Sequence, residues 1–137
     1  MLTETRMTQQ LQLAFPDLQA IYLFGSYATE QENAESDVDI AVLLPHRHAK
    51  NTDLKTWLAI QQNLADALDK PIDLLNLRQV STVMQQQIIN ANRRIFCADS
   101  YAADEFEMLS LSFYQKLNAE RADIVDEFWR TGTAYKV

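Results

Sequence analysis

Hydrophobic positions along the chain alternate between helical spacing and short apolar runs. Met7, Leu11 and Phe15 recur every four residues and predict a first helix over residues 3–15, which Pro16 ends. Helical spacing also predicts helices over residues 53–68, 81–90 and 101–129, the last being one long helix or two consecutive ones. Short apolar runs predict strands over residues 18–24, 37–44, 72–77 and 94–97. Alternating strands and helices predict an α/β layered sheet with helices packed on it, although periodicity gives no strand order.

Polar stretches separate these elements. Ser26 is expected to cap a short helix that ends near Thr29, and residues 30–36 and 46–52 are predicted to be loops. The pattern contains no repeat, low-complexity tract or interdomain linker. A chain of 137 residues is therefore expected to form one domain with its own core.

Composition and charge narrow the possible functions. Hydrophobic residues make up 47% of the chain, charged residues 23%, and the net charge is −7. An acidic chain is not expected to bind nucleic acid on its own, because such binding needs Lys and Arg to neutralise phosphates. The acidity fits either a basic protein partner or simple solubility, and it permits NTP binding because Mg²⁺ supplies local positive charge.

The single cysteine and the lack of long apolar spans indicate the cellular compartment in which the protein is expected to work. Cys97 has no partner for an internal disulfide, and its position in the apolar run at residues 95–98 predicts a buried structural thiol. Without a signal peptide or a long apolar span, we expect a cytoplasmic protein that does not enter membranes.

The candidate chemistry lies around one of only two glycines. Gly25-Ser26 follows an apolar run, and after ten more residues Asp37-Val38-Asp39 begins the next predicted strand. A strand that ends at Gly-Ser and leads into a helix presents free backbone N–H groups to a phosphate. Residues two apart in a strand share a face, so Asp37 and Asp39 would present paired carboxylates suited to a Mg²⁺–nucleotide site. Taken separately, the Gly-Ser would equally be a plain turn and the Asp-Val-Asp a solvated strand start.

The arrangement Gly25-Ser26, ten residues, then Asp37-x-Asp39 resembles the signature of polymerase-β-type nucleotidyltransferases, and the length matches their minimal, MNT-domain members. The resemblance extends from the first helix to about Phe96. It implies a mixed β-sheet flanked by helices, in a single domain of residues 1–137 with a catalytic core of about 1–98 and a C-terminal helical segment of about 101–130. It also implies metal-dependent transfer of a nucleoside monophosphate to a hydroxyl. Many such bacterial proteins are antitoxins of HEPN-type ribonuclease toxins, and some add AMP to a toxin tyrosine.

This resemblance implies roles for particular residues. Asp37 and Asp39 would be the catalytic, metal-bridging pair, and two Mg²⁺ ions would stabilise the attacking and leaving oxygens. Asp73 is the only acid inside the third predicted strand and matches the family's third aspartate; the alternative is an edge-strand aspartate that faces water. Gly25 and Ser26 would bind the ATP phosphates.

Other residues have both a functional and a structural interpretation. Tyr27 would pack under the motif or touch the nucleotide, and packing is favoured. The basic group after the second strand would stabilise the leaving group, contact a partner or be solvated: His46, Arg47, His48 and Lys50. Arg93-Arg94 would bind phosphate or, as we favour, pair with nearby acids. Trp57 is interpreted as a core residue.

The aromatic C-terminal segment also has two interpretations. It would pack against its own domain, as we favour, or form a docking face for a partner or a second copy. Its members are Phe106, Phe113, Tyr114, Phe128, Trp129 and Tyr135.

Three functions compete. The first is an antitoxin that transfers AMP from ATP to a tyrosine of a HEPN-type toxin, within a hetero-oligomeric complex. The second is a non-catalytic antitoxin that masks the toxin, which the three retained acids disfavour. The third is a small-molecule nucleotidyltransferase of the antibiotic-modifying kind, for which about 40 residues after the fourth strand leave little material to build an acceptor pocket.

Overall fold

The computed structural model describes residues 3–25 and 37–131. Four strands and five helices alternate within this part of the chain. The strands are β1 (Ala20–Phe24), β2 (Val38–Leu43), β3 (Ile72–Asn76) and β4 (Arg94–Cys97). The helices are α1 (Thr3–Ala14), α2 (His46–Lys50), α3 (Leu54–Leu68), α4 (Thr82–Asn90) and α5 (Ser100–Thr131).

The strands form one sheet in the order β3-β2-β1-β4. β1 pairs antiparallel with both β2 and β4, whereas β2 and β3 are parallel. The parallel pair needs a crossover connection, and α2 and α3 provide it. The expected mixed sheet flanked by helices is confirmed.

Alternation along the strands gives the sheet two buried faces. On one face, Ile21, Leu23, Val38, Ile40 and Val42 pack with α1 and α3. The other face packs against α4 and the beginning of α5, and its buried residues are Ala20, Tyr22, Ala41, Leu43, Ile88, Ala103 and Phe106. Because β2 is buried on both faces, its sequence is almost continuously apolar from Ile40 to Leu44.

Helix α3 covers the exposed edge of β3 with two polar side chains. Trp57 Nε1 donates a hydrogen bond to the Leu74 carbonyl at 2.9 Å, and the Leu74 N–H donates to Gln61 Oε1 at 2.9 Å. These bonds satisfy backbone groups that an edge strand would otherwise leave unpaired. Trp57 also packs against Phe15, so its assignment to the core is confirmed.

Side-chain caps set where two helices begin. Asp53 accepts a hydrogen bond from Thr56 N and starts α3, while Ser81 accepts one from Met84 N and starts α4. Asp69, with φ +54°, ends α3 in the left-handed conformation. These positions agree with the elements expected from the sequence.

The loop predicted over residues 46–52 is wrong, because His46–Lys50 forms helix α2. Pro45 precedes the first turn with φ −54°, and its carbonyl accepts a hydrogen bond from Ala49 N at 2.9 Å. Ala49 is buried in the core beneath α1 and α3. A five-residue helix with one buried residue shows no apolar periodicity, so the sequence pattern missed it.

The prediction that Cys97 is buried is also wrong. The Cys97 side chain is exposed, since it ends β4 at the edge of the sheet, where only β1 lies alongside. An apolar run of four residues shows that a strand forms but does not show which of its residues meet another layer.

Helix α5 is a single helix of 32 residues, and only its first part packs on the domain. Phe106 is buried, whereas Phe113, Phe128 and Trp129 are exposed. Packing of the whole aromatic segment against its own domain is therefore contradicted for these three residues, because the helix extends past the sheet. Tyr135 lies outside the described residues. None of the described helices is both long enough and apolar enough to cross a membrane.

Candidate active site

Strand pairing brings together the three acids that the sequence singled out. Asp37 immediately precedes β2, Asp39 is its second residue, and Asp73 is the second residue of β3. In the parallel pair, Asp39 lies directly beside Asp73. Because residues opposite one another in a ladder point to the same face, the two carboxylates share a side of the sheet, and Asp37 shares it by alternation.

This acidic cluster (Asp37, Asp39 and Asp73) lies on the α4–α5 side of the sheet, as the buried residues Ala41 and Leu43 do. β3 is the edge of the sheet, and the Asp73 side chain is exposed. The alternative of an edge aspartate in contact with water thus describes the surroundings of Asp73. Its neighbour across the ladder is nevertheless Asp39, so exposure to water does not remove Asp73 from the acidic cluster, and its metal role stays a prediction.

The charges of the two other acids act on Asp39. Partial burial raises the pKa of Asp39, and the charges of Asp73 and then Asp37 raise it further. Like charges nearby disfavour the ionised form of Asp39, and a divalent cation among the three would relieve that repulsion.

Gly25 contacts the carboxylate of Asp39 so closely that no side chain fits. It directly follows β1 with φ +76°, and a Cβ placed on it would lie 2.1 Å from Asp39 Oδ2 and 3.1 Å from Asp39 Cγ. Both the left-handed conformation and the missing Cβ are needed here. The glycine therefore lets the backbone at the end of β1 lie directly against the acidic cluster.

Two further residues of the motif, Ser26 and Tyr27, lie outside the described residues, as do the short helix and the loop expected over residues 26–36. The sequence of residues 26–36 contains three glutamates and neither Lys nor Arg. Positive charge for a triphosphate must therefore come from a metal or from other elements.

The donor set of the acidic cluster fits Mg²⁺, a hard cation that prefers carboxylate oxygens. Within residues 3–25 and 37–131, no group of three carboxylate, imidazole or thiol side chains is placed so that it could hold a metal ion without moving. Asp37, Asp39 and Asp73 are the candidates to hold such an ion, and burial together with the neighbouring charges raises the pKa of Asp39.

The basic residues of α2 lie at the wrong end of the sheet for leaving-group stabilisation. α2 follows the carboxyl end of β2, whereas Asp37 and Asp39 lie at its amino end, about 15 to 20 Å away along the strand. His48 instead pairs with Asp17 at 2.7 Å, and His46 contacts Arg78 at 3.2 Å. The leaving-group interpretation of this group is wrong, and partner contact stays open for the exposed Arg47 and Lys50.

The two adjacent arginines, Arg93 and Arg94, make different contacts. Arg94 pairs with Glu107 at 2.6 Å and with Asp104 at 3.1 Å, which confirms the expected pairing with acids. The Arg93 carbonyl accepts a hydrogen bond from Leu23 N at 2.9 Å, and its guanidinium donates to the Gly25 carbonyl at 3.4 Å. Arg93 thus lies at the Gly25 end of the sheet. The sequence could not show this, because it depends on β4 pairing antiparallel with β1.

A family model described as "Polymerase beta, Nucleotidyltransferase" matches residues 8–101. The chain belongs to the polymerase-β nucleotidyltransferase family. The matched range contains Gly25 and the whole acidic cluster, and it ends where α5 begins. The resemblance inferred from the Gly-Ser and Asp-x-Asp motif is confirmed.

Known members of this family are similar over nearly the whole chain. The protein adenylyltransferase MntA of Shewanella oneidensis is 39% identical over 127 residues, which is 92% of this chain and 87% of MntA. A crystal structure of a toxin–antitoxin with AMP-PNP has a TM-score of 0.78 at 36% identity, covering 93% of this chain and 99% of that one. A tri-AMPylated Shewanella oneidensis HEPN toxin in complex with MNT antitoxin has a TM-score of 0.73 at 35% identity, covering 93% and 96%.

Proposed function

We propose that this chain is an antitoxin that transfers AMP from ATP to a tyrosine hydroxyl of a cognate HEPN-type toxin and so neutralises it. The single observation that carries the proposal is the pairing of Asp39 with Asp73 directly across the parallel strands, with Gly25 against the Asp39 carboxylate. The similarity to MntA and to the AMPylated toxin complex supports this choice of acceptor over a small molecule.

The reaction forms one bond and breaks one. The tyrosine oxygen attacks the α-phosphorus of ATP, the bond between the α-phosphorus and the oxygen bridging to the β-phosphate breaks, and pyrophosphate leaves. The proton of the hydroxyl is lost as its oxygen attacks. Such transfers depend mainly on positioning and on neutralisation of charge.

Each residue of the site has a part in this transfer. Asp37, Asp39 and Asp73 would hold the metal, and Asp73 would also help to remove the tyrosine proton. When bound, Mg²⁺, as two ions, neutralises the charge that develops on the attacking and leaving oxygens. Gly25 and Ser26 offer backbone N–H groups, and Ser26 its hydroxyl, to the phosphates.

Arg93 adds a cation at the same end of the sheet. Its guanidinium reaches the carbonyl of Gly25, the residue that borders the expected phosphate site. Since residues 26–36 contain no Lys or Arg, we assign to Arg93 the neutralisation of the triphosphate tail, and thereby of the leaving pyrophosphate.

The remaining assignments concern the whole chain. We treat residues 1–137 as one minimal nucleotidyltransferase domain, with a catalytic core of about 1–98 and a helical segment of about 101–130. The protein would work in the cytoplasm, in a hetero-oligomeric complex with the toxin.

Intact-mass spectrometry of the toxin tests the proposal. The HEPN-type protein expected to be encoded beside this chain is incubated with the chain, ATP and Mg²⁺. We expect the toxin to gain one or more AMP units, and fragmentation to place them on tyrosine. The double variant Asp37→Asn/Asp39→Asn should give no gain, because the metal ligands are lost. Asp66→Asn, at an exposed acid of α3, is the matched control and should behave as the unaltered chain does.

A toxin that binds tightly but never changes mass with any NTP would overturn the catalytic proposal. The same fold would then act as a masking antitoxin. A gain of mass that persists in the double variant would leave the toxin as substrate but would remove the assigned carboxylates from the chemistry.

A further inference from the structure

The second half of α5 is a long helical surface that the domain leaves uncovered. From residue 111 to residue 130, every one of which the structure describes, no side chain is buried. Phe113 is 60% exposed and Trp129 is 78% exposed, and Ile124, Val125 and Phe128 are exposed as well. Because a helix rises 1.5 Å per residue, this half extends roughly 30 Å along its axis.

The exposed residues continue the same stripe that packs the first half of α5 onto the sheet. Ala103, Phe106 and Ser110 are the buried positions of the first half. Steps of three or four residues from Ser110 reach Phe113, Leu117, Ile124 and Phe128. Arg121, which falls between Leu117 and Ile124 in this count, is charged and interrupts the apolar stripe. At about 100° per residue, Val125 and Trp129 widen this face on one side. A helix face that serves as core in one half therefore continues as surface in the other.

The exposed area is large for a soluble chain. The exposed fractions of Phe113, Phe128 and Trp129 amount to roughly 350 Å² of aromatic surface, taking 150–250 Å² for a whole aromatic side chain. Specific interfaces bury about 800 Å² on each partner, so these three residues and their aliphatic neighbours would supply a substantial part of one interface. Aromatic residues in such a position are typical binding hot spots.

The charges beside this stripe indicate what would cover it. Glu120 and Glu127 border the apolar face on one side together with Lys116, and Arg121 lies on the face itself; Asp123 and Asp126 lie on the opposite side of the helix. A second copy would bring the same acids, within a chain of net charge −7, against one another. A partner with an apolar surface and a basic rim would complement them instead.

We propose that the exposed stripe of α5, formed by Phe113, Leu117, Ile124, Val125, Phe128 and Trp129, is the docking surface for the toxin. The inference rests on the proposed function, because that function supplies the partner. The stripe lies beyond the family match at residues 8–101, so it belongs to no part of the shared catalytic fold. The chains of the two toxin–antitoxin structures each align over 93% of this chain, so about 10 of its 137 residues are unaligned. The segment from residue 111 to residue 130 has 20 residues, so at least half of it is aligned in each structure. A chain that sits in a toxin complex therefore shares part of this half of the helix.

Two single variants test the surface: Ile124→Asp and Phe128→Asp. Each adds a charge to the middle of the stripe without touching the core, so the domain should fold normally by circular dichroism. Ala119→Asp is the matched control, since it adds the same charge on the opposite, solvated side of the same helix. We expect both stripe variants to bind the toxin at least tenfold more weakly in titration calorimetry, and the control to change affinity less than twofold.

Kinetics separate docking from chemistry. For the stripe variants, we expect the KM for the toxin to rise by the same factor while kcat at saturating toxin stays unchanged. Binding should also persist in the Asp37→Asn/Asp39→Asn chain, because the stripe and the acidic cluster are separate. An unaltered chain that docks on the toxin through the stripe but never modifies it would contradict the proposed function alone.

Two results would overturn the docking proposal. One is toxin affinity in the stripe variants that equals that of the Ala119→Asp control. The other is a chain that sediments as a dimer by itself and becomes monomeric on Ile124→Asp, since the stripe would then be covered by a second copy.

Discussion

Asp39 carries a carboxylate whose ionised form is disfavoured by burial and by the charges of Asp73 and Asp37. The fold holds it there because β2 and β3 pair in parallel and because Gly25 leaves room for its oxygen atoms. Active sites often retain such unfavourable charge, since the ligand that relieves it is part of the function. The balance at this residue leads to a prediction about pH.

In the metal-free protein, a pKa of Asp39 raised above its ordinary value means that ionising Asp39 costs more in the folded than in the unfolded chain. The protonated form of Asp39 therefore favours the folded state. This stabilisation is fully present below the ordinary pKa of 3.8 and is lost as pH rises through the raised pKa of the folded state. We expect Asp73→Asn to lower the pKa of Asp39 and to reduce this loss. Carboxyl NMR titration with urea unfolding at several pH values measures both effects.

Asp126→Asn serves as the control for that experiment, because it removes an equal charge from the exposed half of α5. It should leave the titration of Asp39 unchanged. An Asp39 pKa that does not fall in Asp73→Asn would contradict the direct electrostatic coupling of the two carboxylates.

At the scale of elements, α5 is anchored to the sheet through one partly buried polar network. The Tyr22 hydroxyl of β1 donates to Glu107 Oε2 at 2.8 Å, and Arg94 of β4 donates to the same oxygen at 2.6 Å. Burial and the hydrogen bond to Glu107 raise the pKa of Tyr22, so this hydroxyl stays protonated and remains a donor. The network joins two strands to the first half of α5, the part that positions the exposed stripe.

Glu107→Ala should therefore destabilise the fold, because the buried Tyr22 loses its acceptor and Arg94 its closest partner. Hydrogen bonds to charged groups contribute about 1.5–3 kcal/mol, and we expect a loss of that size in the free energy of unfolding by urea. Asp104→Ala removes an exposed partner of the same Arg94 and should cost at most about 1 kcal/mol. Equal losses in the two variants would show that the network does not depend on Tyr22.

At the scale of the molecule, the candidate active site and the proposed docking surface are built by different parts of the chain. Strands β2 and β3 bring the acidic cluster together, and the pairing of β4 with β1 places Arg93 beside Gly25. The stripe of α5 extends from the α4–α5 side of the sheet, the side that the acidic cluster also faces. Phe113, where the stripe begins, shares a cavity with His46 and Lys50 of α2, so the stripe begins at the opposite end of the sheet from the acidic cluster. A partner held on the stripe would have to reach along the sheet to present its tyrosine to the candidate active site.

Nucleotide and metal should stabilise the whole molecule. A ligand that binds only the folded state at 100 times its dissociation constant adds about 2.7 kcal/mol, so ATP with Mg²⁺ should raise the Tm and EDTA should reverse the rise. The Asp37→Asn/Asp39→Asn variant should show no rise. Arg93→Ala should need more ATP for the same rise, whereas Arg47→Ala, on α2 at the other end of the sheet, should match the unaltered chain.

An undiminished rise in Tm for the double variant would place the nucleotide elsewhere on the molecule. If Arg93→Ala and Arg47→Ala respond alike, Arg93 has no specific contact with the triphosphate.

The sequence by itself determined what local patterns encode. Helical spacing and caps located α1, α3, α4 and α5, and apolar runs located all four strands, because each of these signals lies within a few neighbouring residues. The Gly25-Ser26 and Asp37-x-Asp39 spacing identified the family, and strand alternation placed Asp37 and Asp39 on one face. The roles of these residues, of Ser26 and of Asp73 stay predictions.

Only the tertiary structure decided what depends on which elements meet. The parallel pairing of β3 with β2 put Asp73 beside Asp39, and the antiparallel pairing of β4 with β1 separated Arg93 from Arg94 in environment. The edge position of β4 exposed Cys97, and the length of α5 beyond the sheet exposed Phe113 and Trp129. Such outcomes rest on contacts between residues far apart in the chain, and periodicity records which face of an element is apolar but not what covers it.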